Sequence, residues 1–330
     1  MSFKTTLCST TAALSLLLGT SAMAEEITVA YFLEWPMPFE YAKVMETYEA
    51  EMGVDINWVS FDTGTAMSAA MASGDVQIAV SQGLPPFVVA ASAGQDLVIA
   101  DIAVSYSDND NCVVAEALEI DASTAKELEG KRVGVPIGTA AHYGFLKQMD
   151  HFGVDISTME VVDMAPPEGA AAFAQGSLDM VCGWGGALRR MKEHGNVLMT
   201  GAEKEAAGIL VFDVISAPAS FASSEGELLS KFLKVTAEAN AMWNAGTDKA
   251  KMIEVIAKDA GMDVADTEAT MATFSFPSTS EALSDKWLGG GVQDFMVGVA
   301  GVFAEAGSIP TALDNYDASV DATYLSAVAE

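Results

Sequence analysis

An α/β architecture with mostly parallel sheets, divided between two lobes, is the fold class this sequence predicts. Three observations predict it. Short β-branched runs alternate with helical patterns from Ile27 to about Gly208, as strands joined by crossover helices do. The chain of 330 residues is too long for one typical core and suits two. A segment also recurs: Ala72-Ser-Gly-Asp-Val-Gln-Ile-Ala-Val-Ser-Gln-Gly83 lines up with Ala174-Gln-Gly-Ser-Leu-Asp-Met-Val-Cys-Gly-Trp-Gly185. Each copy is a helix end, a glycine turn, a short apolar strand and a small-polar-glycine exit into another helix.

Taken in order, Ile27 to Tyr31 is a predicted strand, Phe39 to Glu51 a helix and Asp55 to Val59 a strand. Thr65 to Ala72 is a helix, Val76 to Val80 a strand, Pro86 to Ala93 a helix and Leu97 to Val104 a strand. The second run repeats this logic from Cys112. Within it Val133 to Val135 is a strand that Pro136 and Gly138 stop, and a helix starts at Thr139, a natural N-cap. From Glu225 the pattern is nearly all helical: through Asn244, then Lys249 to Ala260, Val264 to Thr273 and Val292 to Ala306.

Residues 1 to 24 read as a secretory signal, with Lys4 in a basic start, Leu14 to Leu18 in a short apolar core, and Ala22-Met-Ala24 fitting the small-x-small cleavage rule. The apolar run is too short to span a bilayer, and Cys8 lies before it rather than at a lipid-attachment site. The mature chain would begin near Glu25, outside the cytoplasm. Cleavage leaves Cys112 and Cys182, an even pair in an oxidising compartment, which suggests a disulfide; two buried free thiols are the alternative. Both lie in or beside apolar runs, as strands of one sheet would. Two cysteines and three scattered histidines make no metal site.

The 46 acidic against 16 basic residues give a formal charge of −30, which excludes a nucleic-acid partner. The acid is dispersed and half the residues are apolar, as in a folded, exported, monomeric protein rather than a disordered tail. Export also argues against cofactor biosynthesis. No G-x-S-x-G elbow, H-E-x-x-H, P-loop or dinucleotide fingerprint is present, so neither an enzyme nor a cofactor is expected.

The chemistry that remains is that of binding. A strand that stops at a glycine turn and feeds a helix at Thr139 leaves N–H groups pointing outward, suited to a compact anion; an ordinary βα turn is the alternative. The repeated units would present Ser81-Gln82 and Gly183-Trp184 at strand ends, where open α/β sheets bind ligands. Trp35 and Trp184 both follow strand ends rather than a helical stripe, and a tryptophan face attracts a ligand cation. Trp58, Trp243 and Trp287 fit core spacing instead.

Together Val29-Ala-Tyr31, Phe61-Asp-Thr-Gly64, the Ala72 to Ile78 segment, Gly130-Lys-Arg-Val-Gly-Val-Pro136, His142-Tyr143, Pro166-Pro167, Trp184 and Asn315-Tyr316 resemble the taurine-type solute-binding proteins of ABC importers, across Ile27 to Tyr316. The resemblance implies a bilobal periplasmic-binding-protein fold, two α/β lobes joined by two hinge strands. Residues 25–107 plus 213–330 would form one lobe and 108–212 the other. It also implies a periplasmic location and delivery of a small zwitterion to an inner-membrane permease and its ATPase. Carried over, the anion-binding turn falls on Thr139, Ala140 and His142, the cleft tryptophan on Trp184, a strand-end loop on Ser81 and Gln82, and a hinge acid on Asp213.

Family members often carry a second hydroxyl where this chain has Ala140, so backbone N–H groups must contribute more. The first loop, Glu34-Trp-Pro-Met-Pro-Phe39, is more aromatic than a plain amine site needs. Carboxylates near the hinges would balance a ligand ammonium, with Asp108 and Asp213 ranked ahead of Asp110 and Glu34. A primary ammonium such as taurine's and a methylated onium such as that of dimethylsulfoniopropionate or glycine betaine both fit. An exported enzyme acting on an organosulfur compound and a chemoreceptor-docking sensor are the alternative functions.

Overall fold

A computed structural model describes residues 26–106 and 108–329. The signal segment, its cleavage point after Ala24, Cys8, the first lobe's residue 25 and the hinge position 107 lie outside the described residues.

The first run builds β1 (Glu26–Tyr31), α1 (Pro38–Val44), α2 (Thr47–Met52), β2 (Asp55–Ser60), α3 (Gly64–Ser73), β3 (Ile78–Gly83), α4 (Leu84–Ser92) and β4 (Leu97–Tyr106). The single helix expected over Phe39 to Glu51 is two. The chain turns at Glu46, whose φ of 54° is left-handed. The turn lets Phe39 and Ala42 face the core from α1 while Tyr48 and Met52 do so from α2. Val44 and Met45 are left exposed at the corner. Two prolines in the first turn of α4 are tolerated because N–H groups there have no partner one turn back.

The second run builds β5 (Asp110–Ala115), β6 (Arg132–Val135), α5 (Ala140–Phe152), β7 (Glu160–Asp163), α6 (Pro166–Ala174), β8 (Met180–Trp184), α7 (Gly185–Lys192), β9 (Gly195–Val197) and α8 (Gly201–Ala206). The chain returns through β10 (Val211–Pro218), then runs through α9 (Ala219–Ser224), α10 (Gly226–Asn244), α11 (Lys249–Ala260), α12 (Val264–Met271), α13 (Thr279–Ala282), α14 (Gly291–Glu305) and α15 (Thr323–Ser326).

Two five-stranded sheets result, ordered β2-β1-β3-β10-β4 and β7-β6-β8-β5-β9. Their topologies correspond strand for strand. In each, three parallel strands are followed by one that arrives from the other sheet, antiparallel to both neighbours. The sheets are therefore mixed, each with four strands running one way and one reversed, and the cause is the double crossing: β5 and β10 each enter a sheet from the far side. β3 and β8, the strands of the repeated segment, hold the same third position, and nearly every residue of both is buried. A strand covered on both faces needs the continuous apolar run these segments have.

Cys112 and Cys182 stand directly opposite one another on β5 and β8 and form a disulfide. It ties the crossing strand of the second sheet to its neighbour. A bridge closing 70 residues stabilises by about 4 kcal/mol if chain entropy dominates. Reduction should lower the melting temperature by several degrees in calorimetry with and without a thiol reductant. Superimposable transitions would contradict this.

Candidate functional site

Between the sheets lies a small cavity. The parallel strands contribute their carboxyl ends. Phe32 and Trp35 follow β1, Gly83 ends β3, Trp184 ends β8, and Thr139 and Ala140 follow β6. The reversed strands contribute their beginnings, Asp110 from β5 and Asp213 from β10, and Tyr106 closes β4. Gly64 and Pro86 complete the wall.

One group of lining residues is acidic and aromatic. Asp213 is 2% exposed. Its Oδ2 accepts from the Ser81 hydroxyl at 2.6 Å and its Oδ1 from the Tyr106 hydroxyl at 2.7 Å. Ser81 in turn accepts from the Trp35 indole N–H at 2.8 Å. Ser81 reaches this position from a left-handed backbone, φ 70°. Trp35 is wedged edge-on to Tyr106 and packed against Phe274, with centroids 4.8 and 4.7 Å away. Burial, and Asp110 nearby, push the Asp213 carboxyl up to about 7, against the two hydroxyl hydrogen bonds that favour its charge. Asp110 is also held up to about 7 by burial, with Lys204 opposing.

Another part of the lining is the start of α5. The Thr139 hydroxyl donates to the Pro136 carbonyl at 2.6 Å and caps the helix by accepting from the His142 N–H. It has no proton left for a ligand. The N–H groups that open the helix, at Ala140 and Ala141, are those without a carbonyl one turn back. An anion here meets backbone donors and the helix dipole. His142 does not line the cavity. Its Nδ1 accepts from the Gly138 N–H at 3.1 Å, its ring stacks on Phe303, and burial lowers its pKa to about 4, so it braces the turn as a neutral ring.

Of the residues singled out in the sequence, Trp35, Thr139, Ala140, Trp184 and Asp213 meet at the cavity. Ser81 stands behind Asp213. Gln82 also lies behind the wall: its amide donates to the Gly64 carbonyl and Ser68, and accepts from Ser216 on β10. Asp108 is exposed and accepts from the Gly201 N–H, so it caps α8 away from the cavity. Glu34 is not available to a ligand either, because Arg190 holds both its carboxylate oxygens, at 2.6 and 3.0 Å. That bidentate pair joins the loop after β1 to α7, and the Gly186 N–H donates to the Glu34 carbonyl beside it. A Cβ on Gly186 would fall 2.7 Å from the Glu34 carboxyl carbon, so the two sides close only over glycine. Tyr106, Phe32 and Asp110 were not among the leading candidates.

Residues 41–250, nearly two thirds of the chain, match the family described as NMT1/THI5 like. The chain belongs to that family. It is 26% identical over 308 residues to the taurine-binding periplasmic protein of Escherichia coli strain K12, covering 92% of this chain and 94% of that one. Among solved structures it is similar to the periplasmic aliphatic sulphonate binding protein SsuA of Escherichia coli, with TM-score 0.68, 21% identity, and 88% and 95% of the two chains covered. It is also similar to the alkanesulfonate-binding protein SsuA of Xanthomonas axonopodis pv. citri bound to MOPS, with TM-score 0.73, 20% identity and 91% and 99% covered. These likenesses show that this NMT1/THI5-like chain has the periplasmic-binding-protein fold. Among the described residues no helix is long and apolar enough to cross a membrane.

The buried carboxyls set a pH dependence. Asp101, Asp110 and Asp213 keep their protons up to about pH 7 in the folded protein, whereas a carboxyl in the unfolded chain loses its proton near pH 4. Between those limits the folded state binds more protons, so stability rises as pH falls. His142, neutral when folded down to about 4, opposes by one proton below about pH 6.5. Three protons outweigh one. The ligand-free protein should melt higher at about pH 5.5 than at about pH 8, and a lower melting point on acidification would contradict the burial of these groups.

Proposed function

We propose that this protein is the solute-binding component of a periplasmic ABC import system. It captures a small zwitterion between its lobes and presents it to a membrane permease with its ATPase. The observation that carries the reading is the lining of one small cavity, which combines a buried carboxyl, Asp213, and aromatic rings with the opened N-terminus of α5. A cation at the carboxyl and rings and a compact anion at the helix start match this lining. Two relatives named for taurine and for alkanesulfonates support a sulfonate as the anion. The lobe division expected from the sequence forms part of the proposal. The chain leaves the first sheet after Tyr106 and re-enters it at Val211, so changes of lobe near residues 107 and 213 suit hinges. Secretion through residues 1–24 supplies the location.

An aminosulfonate of taurine's kind is the first reading of the ligand. A methylated onium, dimethylsulfoniopropionate or glycine betaine, is the second, and the aromatic walls favour it: Phe32, Trp35, Tyr106 and Trp184 all face the cavity. Calorimetry with the three compounds tests both. Asp213→Asn should weaken binding strongly, since losing one partner of a buried charge pair costs about 2–5 kcal/mol. Trp184→Ala should lose about 0.5–2 kcal/mol for a cation held against its face. An Asp213→Asn protein that binds as well as the wild type, or a wild type that binds none of the three, would contradict the proposal.

A further inference from the structure

Resting on the zwitterion reading above, we propose that Asp110 is a second binding carboxylate, taking an N–H bond from the ligand's cation on Oδ2. The site then selects a primary ammonium over a permethylated head. Asp110 opens β5, is 2% exposed and lines the same cavity as Asp213. Its Oδ2 is buried without a hydrogen-bond partner. A buried carboxylate oxygen left unpaired is costly, and the cost falls when a donor arrives.

No group packed around Asp110 supplies that donor. Trp184 stands opposite it on β8. On α5, Gly144 lies against the Asp110 carboxylate, and the amide of Gln148 beside it is buried without bonding to that carboxylate or to any other group. Tyr106 on β4 gives its hydroxyl proton to Asp213 on β10. Lys204 on α8 is the cation beside Asp110, and its ammonium donates to the main-chain carbonyl of Asp110, not to the carboxylate. Two carboxylates and one ammonium leave one negative charge, which a monocation balances. Burial raises both carboxyls to about 7 while that cation is absent. A primary ammonium has three N–H donors, enough for Asp110 Oδ2 and the open lone pairs of Asp213; a trimethylammonium has none. The aromatic walls favour a methylated head but leave this oxygen unpaired, and the unpaired oxygen decides.

The test is calorimetric titration of the mature wild-type protein and of Asp110→Asn, each with taurine and with its N-trimethyl analogue. Circular dichroism and melting temperature establish that the variant is folded. Wild type should bind taurine at least about tenfold more tightly than the analogue, and Asp110→Asn should weaken taurine by a similar factor and narrow the gap, as loss of a charge-assisted hydrogen bond requires. Equal binding of the two compounds by wild type overturns the inference even if the variant does not fold. Unaltered taurine affinity in a folded variant also overturns it, and either result leaves the zwitterion reading standing. If wild type binds neither compound the inference falls, and titration with dimethylsulfoniopropionate and glycine betaine then decides the zwitterion reading.

Discussion

A carboxylate removed from water without a counter-charge is a group that folding alone does not tolerate well, and much of this structure is organised around one. Asp213 stays in the cavity because β10 enters the first sheet between β3 and β4, reversed, with its beginning at the cleft. Hydroxyls from both neighbouring strands, Ser81 and Tyr106, fill two of its lone-pair positions. Trp35 fixes Ser81 from the other side. The arrangement orients the carboxyl without giving it a counter-charge, and in the proposal the ligand brings that charge.

The second sheet supplies what closes the site. α5 brings its first turn to the cavity because Gly138, with φ 77°, and the neutral His142 hold the preceding turn. Arg190 on Glu34 and Arg189 on Asp266 tie α7 to the first lobe. Both pairs are partly solvated, which limits what each adds to stability.

Much of the fold was legible because the repeated βα unit carries its own punctuation: a glycine turn, a buried apolar strand and a glycine exit. β3 and β8 occupy the equivalent positions that the echo implied. The reversed strands were harder to read. Val211 to Pro218 runs antiparallel because the chain returns from the other lobe, and no local pattern records the direction of arrival. The break at Glu46 was hidden for a related reason, since apolar spacing through α1 and α2 is continuous while tertiary packing bends the chain. At the site, the sequence puts Asp108 ahead of Asp110, whereas the structure has Asp110 in the cavity lining and Asp108 capping α8. A signal for Asp110 was present all the same. If Cys112 faces Cys182 on antiparallel strands, the residue two before the first lies opposite the residue two after the second. That rule sets Asp110 against Trp184, as the register shows. Tyr106 and Phe32 carried no comparable mark, because aromatic residues at strand ends are as often core.

The central claim is that the cavity lacks one positive charge and that its ligand brings it. Native mass spectrometry of protein purified without denaturation, followed by identification of the released compound, addresses this most directly. The account expects a small zwitterion with its cationic group intact, carried by the wild type and absent from Asp213→Asn. A bound dianion, an uncharged sugar, or the same compound retained by Asp213→Asn would contradict it.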